Sequence, residues 1–128
     1  MKVLLDTHSM LWWLGNDRRL SSMAREIITD GQNRLIWSMA SSWEIAVKVG
    51  IGKLTLGRPL RQLYSDIVTD QGVELLPITH EHCTRLGTLP LNHRDPFDRM
   101  LIVQAQAEKI PILSADPKLS QYDVEVLW

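Results

Sequence analysis

The segment His93-Arg94-Asp95-Pro96-Phe97-Asp98-Arg99 sets two carboxylates three residues apart where a helix should begin. Further acids stand in similar local settings at Asp6, Glu44 and Asp116. Each follows a short apolar run, directly or after a few small or polar residues. If those runs are parallel strands, the acids meet at one edge of a sheet, where open α/β folds place their ligands. Carboxylates crowded together without compensation resist ionisation. A hard divalent cation relieves that strain, and two such ions roughly 4 Å apart activate water and stabilise a leaving oxygen. The chemistry indicated is metal-dependent cleavage of a phosphodiester.

Each acid also has a local use. Asp95-Pro96 has the form of an N-cap followed by proline at the first helical position, with Asp98 at N3 where a negative charge suits the helix dipole. Ser41 and Glu44 have capping-box spacing, and Asp116-Pro117 repeats the Asp-Pro opening. Asp6 differs, because Thr7 could cap the next helix by itself. Capping accounts for acids one at a time but gives no reason for them to share an edge; a metal site does.

Other chemistries find less support. Gly50-Ile51-Gly52-Lys53 lacks the spacing of a phosphate-binding loop, and no G-x-S-x-G elbow occurs. Asp6-Thr7-His8 carries His where an aspartyl phosphotransferase would need a second acid. His8, His80, His82 and His93 form no H-E-x-x-H zinc pattern, and His80 and His82 are expected at the surface. The tryptophans Trp12, Trp13, Trp37, Trp43 and Trp128 are assigned to core and interface packing in preference to base stacking. Trp12 and Trp13 cannot share one helical face, so one is expected to be exposed or covered by another chain.

The elements that must position the acids follow from periodicity. Lys2 to Leu5, Leu35 to Trp37, Val73 to Ile78, Pro111 to Leu113 and Val124 to Leu127 are expected strands. Helices are expected at Thr7 to Leu14, Ser21 to Thr29, Ser41 to Val49, Pro59 to Asp70, Thr79 to Leu86 and Pro96 to Lys109, with a turn-rich loop over Gly50 to Arg58. Strands alternating with helices favour a parallel α/β sheet.

The 128 residues, 45% apolar and 23% charged, suit one globular domain able to bury roughly two-thirds of the surface of its unfolded chain. A net charge of −1 gives no global field for nucleic acid, yet bound cations can supply positive charge where a phosphate sits. The single cysteine, Cys83, excludes an intrachain disulfide and a cysteine-rich zinc site; it is expected to be half-buried on a helix. The apolar runs are too short to span a bilayer, and the start lacks a signal-peptide apolar region, so a cytoplasmic location is expected.

Four stretches together resemble a known family: Val3-Leu4-Leu5-Asp6-Thr7-His8, Ser38 through Ser42-Trp43-Glu44-Ile45-Ala46, His93 through Ile102, and Leu113-Ser114-Ala115-Asp116. In order and spacing they are similar to the PIN-domain ribonucleases, and more narrowly to the VapC-type toxins of bacterial toxin–antitoxin pairs. The D-P-F-D-R stretch is the specific element, and the resemblance spans essentially the whole chain. It implies a single PIN-like domain over residues 1–128, a three-layer α/β/α sandwich with a central, mainly parallel sheet. It implies a Mg²⁺- or Mn²⁺-dependent endoribonuclease that leaves a 5′-phosphate and a 3′-hydroxyl without a covalent intermediate. The family's acidic quartet falls on Asp6, Glu44, Asp98 and Asp116 as catalytic, metal-holding residues, with Asp6 central.

Asp95 is then a cap lying just outside the metal ligands. Thr7 and Ser114 are placed to hydrogen-bond a carboxylate or a water, and Arg94 and Arg99 are candidates for substrate phosphate or, equally, for salt bridges to the neighbouring acids. The expected partners are an RNA substrate, a cognate antitoxin whose C-terminal segment covers the acidic pocket, and a second copy in a homodimer, with no membrane. Two other readings are an inactive PIN fold that only binds a partner and a nuclease for DNA flap structures. The intact quartet weighs against the first. The lack of room for arch elements weighs against the second.

Overall fold

The computed structural model describes all residues 1–128. Its sheet begins with β1 (Lys2–Leu5), whose Val3 and Leu5 enter one apolar cluster while Leu4 enters another. A strand buried on both faces needs such a continuous apolar run. β2 (Arg34–Ser38) pairs along the whole of β1, Val3 opposite Leu35 and Leu5 opposite Trp37. β3 (Glu74–Leu76), β4 (Ile112–Leu113) and β5 (Val126–Leu127) complete a five-stranded, all-parallel sheet in the order β3-β2-β1-β4-β5.

Helices cover both faces. α1 (Thr7–Leu14), α2 (Ser22–Thr29), α3 (Met39–Gly50) and α4 (Leu60–Ser65) contribute Met10, Ala24, Ile27, Ile28, Ile45 and Leu63 to the cluster around Val3, Leu5 and Trp37. On the other face, α6 (Pro96–Glu108) buries Met100 to Val103 and Ala105 against Leu4, Ile36 and Ile112, and α5 (His80–Thr88) packs on α6. The expected three-layer α/β/α sandwich is the observed fold. Every strand runs the same way, so β1, β2 and β4 all end at one edge. No helix is long and apolar enough to cross a membrane.

Several local expectations differ from the structure. Asp6, not Thr7, caps α1, accepting from Ser9 N at 2.7 Å. α3 starts at Met39, capped by Ser38, whose Oγ accepts from Ala40 N at 3.0 Å. Ser41 therefore lies inside the helix, and the Ser41–Glu44 capping box does not form. The helix expected over Pro59 to Asp70 is α4 followed by a π-type turn, Asp66–Asp70. A short 3₁₀ helix, Pro117–Gln121, follows Asp116, which caps it through Lys118 N at 2.9 Å.

Among side chains, His82 is buried rather than at the surface: its Nδ1 closes a capping box with Thr79 and lies 3.4 Å from Gln104 Nε2 of α6. Cys83 is exposed instead of half-buried. Neither Trp12 nor Trp13 is left exposed: Trp12 meets the edge of Trp128 at 5.8 Å, and Trp13 Nε1 donates to Gln71 Oε1 at 2.7 Å. The exposed tryptophan is Trp43, whose ring meets Phe97 edge-on at 4.8 Å.

Candidate metal centre

Asp6 stands one residue beyond β1, between two strands that also end there. It is only 8% exposed. Burial raises its carboxyl above the usual range, against hydrogen bonds from Ser114 and Ser9 that pull it down. Glu44, 2% exposed, projects from the second turn of α3. Thr7 Oγ1 donates to Glu44 Oε1 at 2.5 Å and lies 3.0 Å from Ser41 Oγ. Lys48, one turn further along α3, pairs with Glu44 Oε2. Burial works against the Lys48 ammonium, but Glu44 and the fields of Asp95 and Asp98 outweigh it and hold its pKa up.

Asp95 caps α6, accepting from Phe97 N at 2.8 Å and Asp98 N at 3.1 Å. The cap fixes the first turn, and Asp98 projects from that turn toward the other acids. Burial pushes the Asp98 carboxyl up to about 7, helped by Asp95, Glu44 and Asp6 and opposed by His93. Its Oδ2 lies 2.9 Å from His93 Nε2, and the same nitrogen lies 3.3 Å from Asp116 Oδ2. His93, Asp98 and Asp116 thus bring donor atoms within 4.8 Å of one another.

The nine residues singled out in the sequence divide three ways. Asp6, Glu44 and Asp98 lie close enough that the first two help raise the third, and His93 joins Asp116 to them. Ser114 and Thr7 hydrogen-bond Asp6 and Glu44, and Asp95 caps the helix that carries Asp98. Arg94 is exposed at the rim. Arg99 is not free for a phosphate and pairs with no acid. Its guanidinium donates to the carbonyls of Leu89 (3.2 Å), Pro90 (2.8 Å) and His93 (3.3 Å), and lies 3.3 Å from the Tyr122 hydroxyl. It ties down the loop that delivers His93.

Two residues of the site escaped the sequence reading, Lys48 and His93. Glu44 and Lys48 stand at i and i+4, a spacing that marks an ion pair once the helix is assigned. For His93 the one signal was its place in the same short segment as Asp98. The arrangement as a whole sets five carboxylates, Asp6, Glu44, Asp95, Asp98 and Asp116, against a single ammonium and one imidazole. Oxygen donors in that surplus, with a borderline nitrogen, fit a divalent cation such as Mg²⁺ or Mn²⁺.

Residues 3–125 match the model of the PIN domain family. Among solved structures, the chain is similar to "VapBC2 from Rickettsia felis bound to a DNA fragment from their promoter", with a TM-score of 0.69 at 11% identity, covering 99% of this chain and 98% of the other. It is similar to VapBC-1 from nontypeable Haemophilus influenzae (TM-score 0.67, 17% identity, 99% and 97% covered). It is also similar to FitAcB from Neisseria gonorrhoeae (0.67, 15%, 98% and 96%). No curated protein matches it by sequence.

Proposed function

The chain belongs to the PIN-domain family, and from that premise we propose that it is a metal-dependent endoribonuclease, the toxin of a toxin–antitoxin pair. PIN domains are generally nucleases. The observation that carries the reading is the surplus of buried negative charge at the carboxyl ends of β1, β2 and β4, where burial, with the charges of Asp95, Glu44 and Asp6, pushes Asp98 up to about 7. A fold does not gather ionisable acids within reach of one another's charge without a reason, and perturbed carboxylates in such a place favour a functional site.

Asp6, Glu44, Asp98 and Asp116 would hold one or two Mg²⁺ or Mn²⁺ ions, directly or through water. When bound, the cation lowers the pKa of a water and stabilises the charge on the leaving oxygen. The protein's own share is positional. Asp95 aims Asp98 by capping α6, Ser114 and Ser9 fix Asp6, and Thr7 with Lys48 fixes Glu44. Lys48 and the exposed Arg94 place positive charge where an RNA phosphate approaches. The likeness to VapBC and Fit complexes supports an antitoxin partner; a homodimer and a cytoplasmic location belong to the same proposal.

The test is cleavage of total RNA by the purified protein. Cleavage is expected with Mg²⁺ or Mn²⁺ and is expected to vanish in EDTA and in Asp6→Asn. Activity that survives both losses would rule the site out. Toxicity on expression, relieved by a small protein encoded alongside, tests the partner.

A further inference from the structure

We propose that His93 is itself a metal ligand through Nε2, making the site a mixed nitrogen–oxygen centre that takes Mn²⁺ in preference to Mg²⁺. The inference rests on the metal-dependent reading above. It adds a residue that the acidic quartet does not contain.

The first argument is position. His93 Nε2 is 2.9 Å from Asp98 Oδ2 and 3.3 Å from Asp116 Oδ2, so the imidazole faces the point on which both carboxylates converge. The side chain is 11% exposed, and its loop is pinned by Arg99, which donates to the carbonyls of Leu89, Pro90 and His93 itself. A histidine placed by chance on a surface loop has no such anchoring.

The second argument is availability. Both oxygens of Glu44 are already engaged, one by Thr7 and the other by Lys48. Asp6 accepts from Ser9 N and hydrogen-bonds Ser114. By contrast, His93 Nε2 and the Oδ2 atoms of Asp98 and Asp116 contact only one another, so a cation placed among them displaces no other partner. Asp95 N donates to the other ring nitrogen, Nδ1, at 3.4 Å, the long end of hydrogen bonding.

The third argument is ligand chemistry. Mg²⁺ is a hard ion that favours all-oxygen surroundings and releases its water reluctantly, whereas imidazole suits first-row transition ions. Replacing one oxygen by a nitrogen tilts the site toward Mn²⁺.

The experiment uses the whole protein and Mn²⁺ itself. Pulsed electron paramagnetic resonance of bound Mn²⁺ is expected to show coupling to one imidazole nitrogen, and His93→Gln is expected to lose it. By calorimetry, His93→Gln is expected to weaken Mn²⁺ binding about tenfold or more and Mg²⁺ binding less. Two results overturn the proposal: wild-type protein whose bound Mn²⁺ lacks nitrogen coupling, or coupling that persists in His93→Gln and so comes from another histidine such as His8. The outcomes separate from those of the nuclease reading. Nitrogen coupling without RNA cleavage keeps this inference and removes that one; cleavage without coupling does the reverse.

Discussion

Two buried polar clusters hang on α6, and they are built to opposite rules. Near its middle, Gln104 Oε1 accepts from Ser38 Oγ at 2.5 Å, while Gln104 Nε2 reaches Pro77 O at 3.3 Å and His82 Nδ1 at 3.4 Å. Thr79 N donates to the same His82 nitrogen at 3.1 Å, and Ala40 N donates to Ser38 Oγ. Donors meet acceptors, and the network locks the ends of β2 and β3 to α5 and α6. In the first turn of the same helix, Asp98 feels the charges of Asp95, Glu44 and Asp6 and shares His93 with Asp116, with one ammonium and one imidazole to offset five carboxylates. A balanced network is complete within the fold. An unbalanced one is completed by a proton or by a cation from outside the fold.

The largest effect should come from the unbalanced cluster. Asp98→Asn keeps the shape of the side chain and removes its charge. Metal-dependent RNA cleavage should fall about 10²–10⁴-fold, the equivalent of several kcal/mol of lost charge stabilisation. Measured under single turnover, a loss of less than tenfold would mean that the surplus charge serves something other than this reaction.

Gln104→Leu breaks the balanced cluster. It leaves the buried Ser38 hydroxyl without its acceptor and should destabilise the fold by about 1–3 kcal/mol, read from urea unfolding. Cleavage per folded molecule should hardly change. A variant that stays stable but loses activity would show that the two clusters are coupled along α6.

How the two clusters could be foreseen differs in the same way. The sheet was legible because β1 and β2 are continuous apolar runs, and α6 because Asp95-Pro96 opens it and its apolar spacing continues to Ala105. Asp6, Glu44 and Asp116 were legible because each follows a strand, and Asp98 because it stands in the helix that Asp95-Pro96 opens. What stayed hidden depends on contacts between residues far apart in sequence. Ser41 has capping-box spacing with Glu44, but Ser38 reaches the backbone first and Ser41 turns inward beside Thr7, 34 residues away. His82 looked like a surface residue because its partner Gln104 lies 22 residues on. Arg99 looked like a partner for a phosphate or a neighbouring acid because the loop it binds folds back only in three dimensions. Local rules identify groups with a use, while the fold decides which use prevails.

The pH dependence of stability offers a smaller effect that tests the charge imbalance directly. Asp98 has its carboxyl at about 7 in the folded protein, against an ordinary value of 3.8. Between those values the folded state holds a proton that the unfolded state has lost, so stability should fall as pH rises from about 4 to about 7 and level off above. Asp6, also raised by burial, adds in the same direction. Melting in a chelating buffer should reveal the decline, and Asp98→Asn should flatten it, gaining on the order of 1 kcal/mol relative to wild type above pH 7. Mg²⁺ or Mn²⁺ should restore the wild-type loss by binding the folded state. Parallel pH profiles for the two proteins would remove the imbalance from the argument.

The smallest effect belongs to charge that is balanced in open water. At the opposite edge of the sheet, Arg34 and Glu74 join the starts of β2 and β3 through contacts of 2.7 and 3.0 Å, with side chains 58% and 44% exposed. The ionised forms support each other: the hydrogen bond to Arg34 lowers the Glu74 carboxyl, and Glu74 raises the Arg34 guanidinium. Water hydrates both groups in the folded and the unfolded chain, so little is gained by pairing them. Arg34→Ala should shift the melting temperature by no more than about 2 °C, and less in high salt, where exposed pairs are screened. A double-mutant cycle with Glu74→Ala isolates the pair. If its coupling rivalled the effect of Gln104→Leu, exposure would not be what separates a dispensable charge from a consequential one, and the contrast between the two edges of the sheet would fail.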